Sequence, residues 1–274
     1  MYADDTNAYV SSNDVNECTR IMNEELRRVT RWLQDNCLSL NMDKSHFVLF
    51  KRKQRILQTR PEGIILSDVE LKREHSTKFL GVHMDESLSW NVHVDTVLRK
   101  IAKYIPILYN IRRNLTAESL KLIYNSLIYP NIMYCNSVWG ACCDFRLRPL
   151  KVMQKKLVRV ISFESPFHHT KELFEKLNIL NLDKINKYVN LLYTFKKLQV
   201  NSGEFLIQTS CYSTRSSQIR SIALPNIVSA HSRQSVVWRG ASLWNGLPEE
   251  IRQEQSYSTF KRKLKKLLIE SDLM

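Results

Sequence analysis

Glycine and proline are scarce in this chain, at 6 and 7 of 274 residues. A fold of many short strands needs such residues at close intervals, because tight turns require positive φ or a φ fixed in advance. The scarcity argues against a turn-rich all-β architecture and for a helix-rich one. Hydrophobic residues make up 43% of the chain, enough to bury a core, which excludes an intrinsically disordered protein. The length suits one large domain or two ordinary ones.

The formal net charge is +14, and it is unevenly placed. Residues 1–100 carry 15 Lys/Arg and 15 Asp/Glu, whereas residues 101–274 carry 26 basic and 12 acidic residues. A polyanionic partner for the C-terminal part is the natural expectation; a generically soluble basic surface is the plainer one. Cys18, Cys37, Cys135, Cys142, Cys143 and Cys211 lack the regular spacing of a disulfide framework. No signal peptide is visible, so a reducing intracellular compartment, nucleus or cytoplasm, is expected. Cys142-Cys143 and His168-His169 fit no common zinc spacing, and free or buried thiols are expected there. No apolar run approaches the length of a membrane span, so no membrane partner is expected.

Val15, Cys18, Ile21, Met22, Leu26, Val29, Trp32 and Leu33 recur at helical spacing and predict a helix to about Gln34, capped by Asn13 or Ser12. Leu38–Leu40 and Phe47–Phe50 read as strands around the polar turn Asn41–Ser45. Ile64–Leu66 and Val69–Leu71 read as a hairpin around Ser67-Asp68, and Phe79–Met84 as a further strand. From Trp90 the period is helical. Val94, Val97, Leu98, Ile101, Tyr104 and Ile105 form a stripe that Pro106 interrupts, and Thr116 is placed to cap a helix running towards Tyr129-Pro130. Leu147–Ile161, Lys171–Leu177, Lys184–Gln199, Val236–Leu243 and Tyr257–Leu268 read as further helices, with a Ser/Thr-rich loop at 208–221. The predicted class is α+β, mixed first and helical after.

Chemistry can be sought in five places. Asp4 and Asp5, in Tyr2-Ala3-Asp4-Asp5, are adjacent carboxylates that repel each other unless a cation lies between them and a third carboxylate. Magnesium takes hard oxygen ligands and shares them with substrate phosphates, and a pair of ions can activate one oxygen while steadying another. A solvated Asp-Asp turn, or the first turn of a helix, is the structural alternative. Lys44 can neutralise charge on phosphates or be an exposed turn lysine. Gly81, after Phe79 and Leu80, permits close approach of another chain or makes a bulge in a buried strand. The basic set Arg99, Lys100, Lys103, Arg112, Arg113 and Lys121 can bind phosphates without reading sequence or simply solvate a face. Lys151, Lys155, Lys156 and Arg159 fall at helical spacing on one helix and are a sharper candidate for a phosphate-contacting face.

Read in order, several blocks carry a resemblance. They are Tyr2-Ala3-Asp4-Asp5, LSLNMDKSHFVLF (Leu38–Phe50), STKFLGVHMDESLSW (Ser76–Trp90), GASLWNGLPEEIR (Gly240–Arg252) and YSTFKRKLKKLL (Tyr257–Leu268). Together they resemble the C-terminal portion of a jockey-like non-LTR retrotransposon reverse transcriptase, over nearly the whole chain. The resemblance implies a small antiparallel palm-sheet remnant with one helix at 1–88, a helical thumb at 89–145 and a basic helical C-terminal region at 146–274. It implies that Asp4 and Asp5 hold magnesium, two ions in the complete polymerase, with a third carboxylate from an earlier palm strand. It makes Lys44 the lysine that protonates the leaving pyrophosphate, and Tyr2, Phe79, Leu80 and Gly81 primer-positioning residues. RNA template and DNA primer are the implied partners. Trp244-Asn245-Gly246-Leu247-Pro248 carries no assigned chemistry, and a structural corner is expected.

Fingers, the first palm Asp and the nucleotide grip of that family have no counterpart in these residues. Met1 stands directly before Tyr2 as in a truncated or decayed copy, or a gene model begun midway. The expected function is therefore a truncated RNA-directed DNA polymerase, inactive alone. The alternative is a non-catalytic RNA- or DNA-binding remnant, and the blandest is an unstable product without function. Palm strand edges left uncovered would favour self-association.

Overall fold

A computed structural model describes residues 6–51, 63–200, 203–205, 221–226 and 232–270. The chain divides into two compact units, Met1–Ser89 and Trp90–Met274. Tyr2, Asp4, Asp5 and nearly all of the stretch 208–221 lie outside the described residues.

In the first unit the predicted helix is α1, Val15–Asp35. Its cap is Asp14, whose carboxylate accepts the Glu17 amide at 3.1 Å, rather than Asn13 or Ser12. A carboxylate directly before the first turn satisfies an orphan N–H and complements the helix dipole at once. Asn41 opens a single 3₁₀ turn, Met42–Lys44, by accepting the Lys44 amide. β1 (His46–Phe47) leaves this turn and pairs in parallel with β4 (Lys72–Arg73). β2 (Ile65–Leu66) and β3 (Val69–Glu70) form the expected hairpin, with φ of 50° at Ser67 and 64° at Asp68.

Among the described residues the strands make three two-stranded ladders, two antiparallel and one parallel. Leu38–Leu40 forms no strand. Phe79–Met84 is not one strand either: β5 (Ser76–Phe79) and β6 (Val82–Asp85) are antiparallel arms of a hairpin that reverses at Leu80-Gly81. Both turn residues have positive φ, 45° and 82°, the I′ geometry that matches strand twist. Leucine is unfavourable at such a position, so the sequence pattern hid the turn. The side chain of Asn23 on α1 accepts from the Ile65 amide at 2.9 Å and donates to the Gly63 carbonyl at 3.1 Å, which fixes β2 on the helix. The apolar cluster of this unit is small: Leu26, Ile64, Leu66 and Leu71.

The second unit is mainly helical. α2 (Asn91–Ala102) and α3 (Tyr104–Ile111) meet at Lys103, so Pro106 falls in the first turn of α3, where its missing N–H costs nothing. α4 (Ala117–Ile123) is capped by Thr116, whose hydroxyl accepts the Ser119 amide. It continues through a π turn, Tyr124–Ile128, into α5 (Tyr129–Met133). Pro130 cannot donate to the carbonyl four residues back, and the π turn just before it absorbs that loss. Then follow α6 (Asn136–Trp139), α7 (Asp144–Ile161), α8 (Lys171–Lys176), α9 (Leu182–Val200), α10 (Val236–Asn245), α11 (Glu249–Arg252) and α12 (Tyr257–Glu270).

α9 is central, packing on α5, α6, α7, α10 and α12. Residues 89–145 and 146–274 share one apolar core around it, in which Trp139, Trp244, Tyr124 and Phe260 are the largest fully buried side chains. Phe195 of α9 stacks on Phe260 of α12 with ring centroids 4.2 Å apart, and Trp244 lies 5.8 Å from Phe260. This gives the LWN-x-LP block its structural account. Trp244 joins three helices through aromatic packing. Asn245 grips a neighbouring segment edge-on, donating to the Ile222 carbonyl at 2.8 Å and accepting the Ile222 amide at 2.9 Å. Pro248 then starts α11.

Candidate nucleic-acid interface

The first unit brings two of the expected site elements together. Lys44 is exposed on its 3₁₀ turn, and the His46 ring bridges that turn to β5. One ring nitrogen lies 3.2 Å from the Lys44 carbonyl and the other 2.9 Å from the Thr77 hydroxyl. The hairpin at whose tip Leu80 and Gly81 sit is thereby tied to the turn that carries Lys44. Leu80 is 41% exposed, and Gly81 is exposed beside it. Phe79 is half-buried, with the Tyr9 ring edge-on at 6.4 Å.

The Asp of the KFLGV-x-x-D block is a turn staple. Asp85 accepts the Ser87 amide (3.1 Å) and hydroxyl (2.6 Å) and the Ser89 amide (3.0 Å) and hydroxyl (3.0 Å). Burial pushes its carboxyl up, but these four hydrogen bonds outweigh burial and hold it below the ordinary carboxylate range. Glu86 faces Arg73 at 3.0 Å and His75 at 3.2 Å. Trp90 precedes α2 with φ 63° and packs on the core of the second unit, a core role and not an open stacking platform.

The cations of the second unit divide by environment. Arg99, Lys100, Lys103 and Arg113 are exposed at the ends of α2 and α3. Arg112 is half-buried with its guanidinium 4.3 Å from the Tyr109 ring centre. On α7, Lys155 and Lys156 are exposed, whereas Arg159 donates through Nε to the His168 carbonyl at 2.9 Å. Lys151 departs from the expected phosphate face. Its side chain is 23% exposed, and its ammonium lies 2.5 Å from Asp144 and 2.7 Å from Asp183. Burial alone would lower this ammonium; the two carboxylates outweigh it and raise it. Spacing along α7 could not show this, because Asp183 arrives from α9.

Trp90–Met274 holds 28 Lys/Arg against 13 Asp/Glu, and Met1–Ser89 holds 13 against 14. Comparison with known proteins finds similar sequences. The chain is 28% identical over 166 residues to a probable RNA-directed DNA polymerase from transposon X-element of Drosophila melanogaster, covering 59% of the chain and 18% of that protein. It is 26% identical over 190 residues to the RNA-directed DNA polymerase from mobile element jockey of Drosophila funebris, covering 68% and 20%. This chain is similar to the polymerases of jockey-like non-LTR retrotransposons. A retrovirus-related Pol polyprotein from a type-1 retrotransposable element R1 of Nasonia vitripennis also aligns, at 25% over 143 residues, covering 50% of the chain and 35% of that protein. The chain spans about a fifth of the length of the first two of these polymerases. No family model matches the chain, and no solved structure does.

The polymerase resemblance implies a divalent metal. Among the described residues no group of three His, Cys, Asp or Glu side chains could hold an ion, and Asp4 and Asp5 lie outside those residues. No helix of the described residues is long and apolar enough to cross a membrane.

Proposed function

We propose that these residues work within a non-LTR retrotransposon reverse transcriptase. Met1–Ser89 contributes the end of the palm, and Trp90–Met274 contributes the thumb and C-terminal region that hold template RNA and primer DNA by their phosphates. The observation that carries this reading is the segregation of positive charge into the second unit, with Arg99, Lys100, Lys103, Arg113, Lys155 and Lys156 exposed on its helices. Contacts of this kind position a duplex and carry no base information. Leu80 and Gly81 present a tight hairpin tip to the primer, Tyr2 flanks its terminus, and Lys44 donates a proton to the departing pyrophosphate. Magnesium bound by Asp4, Asp5 and a further carboxylate would activate the primer 3′-hydroxyl and steady the leaving group.

Binding is tested with the full chain against RNA–DNA hybrid and single strands over a salt series. Affinity is expected to fall log-linearly with salt and to vary little with sequence; salt-insensitive binding, or none at low salt, overturns the reading. Catalysis is tested by primer extension. Residues 1–274 hold two of the three carboxylates that the resemblance implies, so these residues alone are expected not to extend a primer. In a polymerase that also carries the earlier palm strands implied by the resemblance, Asp4→Asn is expected to abolish incorporation, and Lys44→Ala to slow it by about 10²–10⁴-fold with binding retained. Parental incorporation by Lys44→Ala, with chemistry rate-limiting, would return Lys44 to a turn lysine. The second reading, a non-catalytic RNA- or DNA-binding remnant, draws on the self-contained core of Trp90–Met274. It predicts the same salt-dependent binding with no synthesis even with those strands present.

A further inference from the structure

α9 and α10 pack side by side, and with α6 they border a half-open cavity of ≈ 270 Å³ within the second unit. Arg239, Asn186, Asn136, Lys187, Ser242 and Trp238 line it. Arg239 is half-buried, and its fork is held in place by neutral acceptors. Nε donates to the Gln234 carbonyl at 3.1 Å, Nη1 to Asn186 Oδ1 at 2.9 Å and Nη2 to the Ser137 carbonyl at 2.5 Å. Asn186 is fixed in turn, donating through Nδ2 to Asn136 Oδ1 at 2.9 Å and to the Asn136 carbonyl at 3.1 Å. Among the described residues no carboxylate pairs with Arg239. The carboxylate in the cavity wall, Asp183, is committed to Lys151 at 2.7 Å.

A guanidinium drawn out of water without a counter-charge is costly. A tether to carbonyl and amide oxygens alone does not need that charge. Burial pulls the Arg239 guanidinium down to about 10, so it remains charged at neutral pH. Three of its five N–H groups are used among the described residues, which leaves two without a partner there. The cavity is also kept open by sequence. A Cβ at Gly140 would lie 2.4 Å from Asn186 Nδ2 and 2.5 Å from Asn136 Oδ1, and would displace the amide pair that aims the fork.

We propose that this cavity binds a phosphate group through the remaining N–H groups of Arg239, with Lys187 beside it, and that the phosphate belongs to a single-stranded nucleic acid whose base stacks on Trp238. Planar bidentate recognition of phosphate is what an arginine fork offers, and an indole beside it is the usual platform for an unpaired base. The nucleic-acid source rests on the reading under Proposed function; the phosphate site does not.

The test follows the tryptophan indole N–H signals of the full chain by NMR, with Trp238→Phe assigning the relevant one. Inorganic phosphate is titrated first, then a short single-stranded oligonucleotide is added. Phosphate is expected to shift the Trp238 signal saturably, and Arg239→Gln to weaken that binding by about tenfold or more. Without phosphate, Arg239→Gln is expected to melt within a few degrees of the parent, since it removes an uncompensated charge; a mere tether would lose stability and leave phosphate affinity alone. Displacement of phosphate by the oligonucleotide supports the nucleic-acid source. Saturable phosphate binding that the oligonucleotide does not displace overturns that source and leaves the site standing. No saturable shift, or unchanged affinity in Arg239→Gln, overturns the site. If Arg239→Gln does not fold, Lys187→Gln decides, with weakening expected and unchanged affinity counting against the proposal. Loss of salt-dependent nucleic-acid binding while phosphate still moves Trp238 would strike the broader reading alone.

Discussion

Lys151 and Lys155 stand one turn apart on α7, and their surroundings give them different consequences. Lys151 bridges carboxylates from α7 and α9, whereas Lys155 is exposed. Lys151→Ala is expected to lower stability by roughly 1 kcal/mol, the scale of a partly screened ion pair, with little change in nucleic-acid affinity. Lys155→Ala with Lys156→Ala is expected to do the reverse: unchanged melting, and a salt slope shallower by about 0.7–0.9 for each phosphate that is no longer neutralised. Denaturation and a binding series on the variants decide it, and a weaker slope in Lys151→Ala alone would contradict the division. Asp85 makes a second residue-scale prediction. Its folded-state pKa is depressed, so its stabilisation is complete above the unfolded value and disappears as pH falls through the folded one. Asp85→Asn is expected to cost about 1 kcal/mol at neutral pH after solvent screening, and the gap between variant and parent should start to narrow below about pH 4. A gap that does not narrow at all as pH falls below about 4 would show that the carboxylate charge is irrelevant to the turn.

At the scale of elements, the β5–β6 hairpin holds a leucine where I′ turns prefer asparagine or glycine. A backbone outlier at an exposed tip points towards a use for the side chain it carries. Leu80→Asn is expected to stabilise the chain by about 0.5–1 kcal/mol, because it relieves a positive-φ leucine. If Leu80 touches the primer, the same change weakens primer–template binding. Chemical denaturation and hybrid binding on one variant separate these effects; a destabilised variant would mean that the leucine packs on something that the turn geometry does not reveal. Elsewhere the elements are secured by side chains reaching across, as Asn23 does for β2 and Asn245 for the segment at Ile222.

The whole molecule is uneven. Among the described residues the apolar cluster of Met1–Ser89 has four buried members, and that of Trp90–Met274 runs through most of its helices. Local opening follows local burial, so amides of α1 and of β2–β3 are expected to exchange faster than those of α7 and α9. Hydrogen exchange on the full chain, resolved by segment, checks this; equal protection in the two units would mean that the first is stabilised by contacts outside its own cluster. Among the described residues each ladder of the first unit has two members. Self-association is therefore expected to involve Met1–Ser89 first, and cross-linking against concentration would map it.

Sequence alone determined the α+β class, the positions of nearly all long helices and the β2–β3 hairpin. These depend on local apolar period, caps and turn residues, which neighbouring positions specify. It also determined the similarity to retrotransposon polymerases, because the KFLGV and LWN blocks are contiguous. Tertiary structure alone decided which cations are occupied: Lys151 looks like Lys155 until Asp183 is brought beside it. It decided the Leu80-Gly81 reversal, which leucine disguises, and the use of Asn245, whose partner at Ile222 lies in another segment. The Arg239 cavity was illegible for the same reason. Asn136, Asn186 and Arg239 sit on three helices at no telling spacing, and only packing of α6, α9 and α10 aims their polar atoms at one another.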